Sequence, residues 1–227
     1  MELLLQGLAK VWGDPQVLEI TLFTLQVSGI ATIISVLIGV PVGFFLATKV
    51  FPGRNLIMSV VNLGMGLPPV VVGLWVSLLL WRSGPLGALG LQYTPIAIII
   101  AQGIIASPIV TGFSTAAIGQ INPKLQMQIM ALGASRWQLI WLMIREARLG
   151  LLAAVIAGFG GVISEVGAAM MVGGNISGYT RTLTTATVLE VNKGHFDVAI
   201  ALGTILLLLA FIVTALLTLS QQKGRYI

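Results

Sequence analysis

The chain has no cysteine and a single histidine, and only 8% of its 227 residues carry charge. Without cysteine there is no disulfide, no thiol nucleophile and no cysteine-based metal site. Also missing are a GxxxxGK[ST] phosphate loop, an HExxH zinc motif and a GxSxG nucleophile elbow, so the chain holds no ATP-binding loop and no recognisable hydrolase site. The net charge of +5 rests on very few ionised groups, which argues against a nucleic-acid surface and for basic loops beside a membrane. Met1 to Gly13 carry Glu2 early and Lys10 late, without the positive head and small-residue cleavage site of a signal peptide.

What is present is apolar. Hydrophobic residues make up 57% of the chain and the mean hydropathy is +1.02, far beyond soluble domains. An integral, all-α membrane protein follows. A hydrocarbon core of roughly 30 Å needs about 20 apolar residues per helix, which divides the chain into five spans near Ile20–Ala47, Leu56–Leu80, Thr94–Ile118, Leu149–Val172 and Val198–Leu219. One set of connecting segments holds Lys49, Arg54, Lys124, Arg136, Arg145, Arg148, Lys223 and Arg225; the other holds only Lys10, Arg82, Arg181 and Lys193. Because Lys and Arg are retained inside, the amino terminus is expected outside and the carboxyl terminus in the cytoplasm. With no linker, low-complexity tract or convincing repeat, residues 1–227 read as one helical transmembrane domain. It has a cytoplasmic segment at 122–148 and an outer segment at 173–197.

Three places could carry function. In the second span, Gly64-Met65-Gly66-Leu67-Pro68-Pro69 should kink or break the helix, since neither proline donates a hydrogen bond. Freed backbone at membrane depth is tolerated only in protein or beside a wet cavity. The amides of Val70 and Val71, at a restarting helix end, would favour an anion; otherwise the kink serves packing. In the fourth span, Glu165 is the acid inside an apolar run, on a face with Gly158, Gly161 and Ala168. It should face the bundle interior, either lining a pathway or helix lock or serving as a hydrogen-bonded structural group. Outside, Asn175 and Arg181 precede a threonine-rich run through Thr187, where Arg181 could attract an oxyanion, meet a partner or remain a solvated charge. Asp14 and Asp197 lie at outer ends of spans and His195 in an outer loop, so no catalytic residue and no metal ligand is assigned.

The cytoplasmic segment Asn122 to Arg148 is the clearest polar interruption. Leu125, Ile129 and Leu132 recur at helical spacing, Gly133 permits a sharp reversal, and Ser135 is placed to cap the next helix. A short amphipathic helix followed by a turn suits docking into a groove, although a plain connector has the same pattern.

In this segment and two others the chain resembles the membrane-spanning subunits of ABC importers, in the molybdate and tungstate oxyanion branch. The similarity lies in Val61 to Gly73 (VNLGMGLPPVVVG), in Leu132 to Trp137 (LGASRW), and in Ile163 to Ala168 (ISEVGA) with Met171 to Ile176 (MVGGNI). The last block, continued through Ala186, looks most like tungstate-type permeases. The resemblance implies a type-1 importer permease and a coupling helix around Met127, Ile129, Ala131, Leu132, Gly133, Ala134 and Ser135, docking on a separate ATPase subunit. Gly133 matches the glycine of the family's EAA signature. The signature's leading glutamate falls on Met127, its alanines on Gln128 and Ile129, and its terminal Leu-Pro on Arg145-Glu146, so apolar contact by Ile129 and Leu132 would replace that glutamate.

The resemblance further implies a homodimer with two ATPase subunits and an external substrate-binding protein in a prokaryotic plasma membrane. ATP and Mg would reside on the partner, and this chain would bind no cofactor. Gly66, Pro68, Pro69, Val70, Glu165, Asn175 and Arg181 are the residues expected on the pathway or its gate. Tungstate is the favoured cargo, with molybdate, sulfate or another small anion as the alternative. A secondary transporter or channel needing no ATPase is the reading from a different class, and a membrane enzyme the weakest.

Overall fold

The structure, a computed structural model, describes residues 6–7, 10–11 and 13–223. Glu2 and Arg225, counted in the charge balance, lie outside the described residues. Among these, every regular element is helical.

Asp14 opens the first helix, α1 (Pro15–Thr48), by accepting from the Gln16 amide at 2.8 Å. At 34 residues and 1.5 Å per residue, α1 is about 50 Å long and exceeds the hydrocarbon thickness. A short turn with Gly53 in the left-handed region leads into α2 (Arg54–Met65), and Arg54 Nε donates to Leu46 O at 2.7 Å, tying the turn back to α1. Then follow α3 (Pro69–Leu80), a 3-10 turn at Gly87–Leu89, and α4 (Pro95–Gly119), capped by Thr94. The inner hairpin is α5 (Pro123–Ala131) and α6 (Arg136–Glu146). Beyond it lie α7 (Arg148–Ile163), α8 (Gly167–Gly173), α9 (Leu183–Asn192) and α10 (Phe196–Lys223).

Among the described residues three helices are long and apolar enough to cross a membrane, α1, α4 and α10. Two more spans result if each bent pair counts as one: α2 with α3, bent by 102°, and α7 with α8, bent by 59°. The first break was expected from Pro68 and Pro69. The second was not: the sequence reads as an unbroken span from Leu149 to Val172, yet the helix stops at Ile163 and restarts at Gly167. Glu165 therefore does not share a continuous helical face with Gly158, Gly161 and Ala168. It lies in the break.

The core explains the order of packing. Val27 of α1, Val72, Val76 and Leu80 of α3, Ala97, Ile98 and Ala101 of α4, and Ala168 and Val172 of α8 form one buried cluster. Between α1 and α4 the contact is made by small and hydroxylated residues, among them Ser35, Gly39 and Gly43 facing Gly103, Thr111 and Ser114. Such residues let backbones approach closely where lipid gives no hydrophobic drive for association; Ser35 Oγ reaches across to Gly103 O at 3.2 Å. By contrast α2 has no buried residue in all its 12. One side, through Val61, Gly64 and Met65, meets Pro108 and Gly112 of α4, and the rest is exposed within one chain.

Candidate functional site

The inner hairpin is built by local chemistry. Asn122 caps α5 by accepting from Lys124 N at 2.9 Å. At its end Gly133, with φ +81°, donates to Met130 O at 3.0 Å while Ala134 N donates to Ile129 O at 3.3 Å. This is the paired closure of a helix ending on a left-handed residue, which glycine adopts without a Cβ penalty. Ser135 then starts α6 through a capping box, its Oγ accepting from Gln138 N at 3.3 Å and its own amide donating to Gln138 Oε1 at 2.7 Å. The reversal at Gly133 and the cap at Ser135 match the sequence reading.

Which apolar residues this hairpin presents differs from that reading. Leu125 packs inward with Leu139 against Ile118, Ile121, Met143, Ala147 and Leu151, so it holds the hairpin to the spans and is not part of a docking stripe. Ile129 and Ala134 are half-buried, whereas Ala131 and Ser135 are exposed. Leu132 is 88% exposed and Met127 63%. Beside them Met130, Trp137 and Trp141 are also exposed; of these, Met130 and Trp141 were not singled out, because spacing alone does not tell an inward face from an outward one.

At the first break, Gly66, Pro68, Pro69 and Val70 are all exposed. The expected pair of free amides is reduced: Val71 N donates to Pro68 O at 2.9 Å, because Pro68 takes the cap position and supplies its carbonyl. Only Val70 of that pair is left as a candidate donor. The restarted helix α3 lies hard against α8, where a Cβ on Gly73 would come within 2.6 Å of Ala168 Cα and one on Gly167 within 2.5 Å of Val70 Cγ2. The two breaks are thus neighbours.

Glu165, 5% exposed, fills the second break. Its Oε1 accepts from Ala168 N at 2.7 Å and its Oε2 from Ala169 N at 2.9 Å. A carboxylate at a helix amino terminus meets both unpaired amides and the favourable end of the helix dipole. Those amides are consequently unavailable to a passing oxyanion. The Glu165 carbonyl in turn accepts from Thr184 Oγ1 at 2.9 Å.

Thr184 belongs to a buried threonine group that the sequence displays as a run but does not reveal as a network. Thr182 Oγ1 lies 2.8 Å from Thr184 Oγ1 and 3.2 Å from Thr185 Oγ1, Leu183 N donates to Thr24 Oγ1 at 2.9 Å, and Asn175 Nδ2 donates to Thr185 O at 3.3 Å. Asn175, itself in the left-handed region at φ 51°, receives Arg181 Nε on its Oδ1 at 3.2 Å and Arg181 Nη2 on its carbonyl at 3.4 Å. A continuous set of hydrogen bonds therefore joins Arg181 and Asn175 to Glu165. Arg181 also lines a cavity of about 280 Å³ with Glu19, Gln26 and Tyr179.

At the far end of α9, Glu190 Oε1 accepts from Lys193 Nζ at 2.7 Å and Oε2 lies 2.8 Å from His195 Nδ1. Burial raises the Glu190 carboxyl, but the hydrogen bonds and charges of Lys193 and His195 together outweigh it and hold it below the usual glutamate value. Lys10 pairs with Asp197 nearby. Among the described residues no cluster of three or more His, Asp or Glu could hold a metal ion.

Residues 39–226 match the family described as binding-protein-dependent transport system inner membrane component. A probable anion ABC transporter permease protein of Haloferax volcanii is 42% identical over 87% of this chain and 88% of its own length. The tungstate uptake system permease protein TupB of Peptoclostridium acidaminophilum is 38% identical over 92% of both chains. Among solved structures, a bacterial ABC transporter importing alginate superposes with a TM-score of 0.76 at 18% identity, covering 96% of this chain and 83% of that one. The inward-facing methionine transporter MetNI gives 0.69 at 21% identity, over 100% and 96%; at such identities these two speak for the fold alone. The chain belongs to the family of binding-protein-dependent transport system inner membrane components, the membrane-embedded permeases of ABC importers.

Proposed function

We propose that this chain is the translocating subunit of an ATP-driven oxyanion importer, with tungstate as cargo. The observation that carries the coupling part is the hairpin at Gly133: two well-capped helices present Met127, Met130 and Leu132 to solvent at a rigid turn, a shape able to enter a groove on an ATPase subunit. Two such subunits, carrying ATP and Mg, and an external substrate-binding protein would complete the assembly. That composition follows the family, whose description is a binding-protein-dependent transport system. The exposed side of α2 supports a homodimer. Its exposed Leu56, Ile57, Val60 and Leu63 are the residues a second copy would bury.

The cargo rests on relatives. Two named as tungstate permeases are 38% and 41% identical, against 28% for the molybdenum permease ModB of Escherichia coli. A sulfate permease of Synechococcus elongatus at 32% supports the second reading, another tetrahedral oxyanion.

In mechanism, closure of the ATPase pair would push on the hairpin, which Leu125, Leu139 and Met143 tie to α1, α4 and α7. Movement would reach α8 and the neighbouring α3 restart. Glu165 would then hold the α8 end rigid through the transition and not touch cargo. The pathway residues are Gly66, Pro68, Pro69 and Val70, with Asn175 and Arg181 at the outer side. The basic segments, including the hairpin, are assigned to the cytoplasmic side by the excess of Lys and Arg. The testing experiment is to co-purify the permease with its ATPase and ask which oxyanion-loaded binding protein stimulates ATP hydrolysis. Stimulation by the tungstate form supports the cargo; stimulation only by sulfate or molybdate forms rejects it.

A further inference from the structure

Helix α6 has two apolar faces, and only one is explained by packing. Leu139 and Met143 face inward. On the opposite side Trp137, Trp141 and Ile144, spaced by four and three, are 81%, 58% and 37% exposed, and this spacing puts them in one row. Arg145 extends the row, its guanidinium 5.3 Å from the Trp141 ring. Arg136 is exposed at the helix start. The one acid of α6, Glu146, is exposed on the side of the helix that carries Leu139 and Met143, where it lines a hollow with Gln120, Asn122 and Leu125. The tryptophan row therefore carries arginine and no carboxylate, while Glu146 stands on the other side of the helix.

The position decides what covers this row. Only Ala147 separates α6 from α7, the first half of a membrane span. Ile144 and Arg145 precede Leu149 by five and four residues, about 6–8 Å along a helix, which is the depth of one headgroup layer. Trp141 and Trp137 lie farther back, eight and twelve residues before Leu149. Leu139 and Met143 of the same helix, however, share a cluster with Val40, Phe44 and Ala47 of α1 and Ile118 of α4. Helix α6 thus lies along the inner ends of the spans, where tryptophan is preferred and arginine meets phosphate both by charge and by paired donors.

We infer that the Trp137–Trp141–Ile144 face of α6, with Arg145 and Arg136, is a binding surface for anionic phospholipid in the leaflet next to the inner hairpin. It rests on the membrane placement of the hairpin proposed above, not on the cargo. The lipid lies along the outward face of α6, so anionic headgroups steady the hairpin that receives the ATPase.

The test uses the complete permease–ATPase complex in nanodiscs of phosphatidylcholine containing brominated phosphatidylglycerol or brominated phosphatidylcholine. Quenching of Trp137 and Trp141 is obtained by difference from the W137F/W141F double variant. Brominated phosphatidylglycerol should quench several times more strongly at equal content. R145Q should lower that preference about fivefold, the expected worth of one interfacial arginine, while R145K keeps most of it. Equal quenching by both lipids overturns the inference. So does quenching by neither, since the face is then covered by protein. Stimulation of ATP hydrolysis by loaded binding protein, read on the same discs, tests the transport reading separately.

Discussion

Replacing Glu165 by glutamine isolates what the buried carboxylate does. Each of its oxygens accepts one backbone amide, at 2.7 and 2.9 Å, and hydrogen bonds to charged groups are worth about 1.5–3 kcal/mol each. Glutamine keeps one acceptor and turns an NH₂ group toward the other amide, so one charge-assisted bond is lost and the other becomes neutral. The total is roughly 2–4 kcal/mol, including the lost attraction to the α8 amino end. At roughly 2–4 °C per kcal/mol for a chain of this size, E165Q should unfold about 4–16 °C lower. Thermal unfolding of the purified protein in detergent measures this, with oxyanion uptake followed in parallel. Uptake should fall through loss of assembled protein, with the apparent affinity for oxyanion unchanged. An unfolding temperature within about 1 °C of wild type, joined to a raised KM, would refute the capping role and bring Glu165 to the cargo.

Other expectations follow from the same geometry. At Gly133 the left-handed backbone costs an L-residue about 1–2 kcal/mol although a Cβ there meets nothing; ATP-dependent uptake should fall in the order Gly, Asn, Ala, Val with membrane insertion intact, and normal uptake by G133V would remove the turn from the coupling role. Thr184→Val removes the 2.9 Å bond to the Glu165 carbonyl and should lower the unfolding temperature by less than E165Q does, measured side by side. The lowered Glu190 carboxyl contributes stability that is fully present above the ordinary glutamate value, about 4.3, and is lost as pH falls through its lowered folded value. E190Q should flatten the acid side of an unfolding-temperature profile taken from pH 7 to pH 3. A substitution of Val60 by Arg on the exposed side of α2 should leave the monomer folded and shift the complex toward single permeases on size-exclusion chromatography.

Much of this was legible along the chain because the causes are local. The break at Pro68-Pro69 follows from two missing donors, and the reversal at Gly133 with the Ser135 cap follows from residue types two positions apart. The break at Ser164–Val166 was hidden for a physical reason: FGGVISEVGAAMM is continuous in hydropathy, and a glutamate that caps a helix has the same sequence neighbours as one that lines a helix. The inward packing of Leu125 was not legible, because its spacing with Ile129 and Leu132 places residues on a helix without saying which side the bundle covers. The bond from Leu183 N to Thr24 Oγ1 joins residues 159 positions apart. Only folding brings that pair together, and with it the threonine network that connects Arg181 to Glu165.

The most direct test of the importer mechanism is uptake by proteoliposomes holding the permease with and without its ATPase, supplied with tungstate-loaded binding protein and ATP inside the ATPase-facing compartment. Accumulation is expected only when ATPase, ATP and loaded binding protein are all present, and it should vanish in G133V. Accumulation by the permease alone, driven by a proton gradient, would contradict the reading of this chain as the passive channel of an ATP-driven machine.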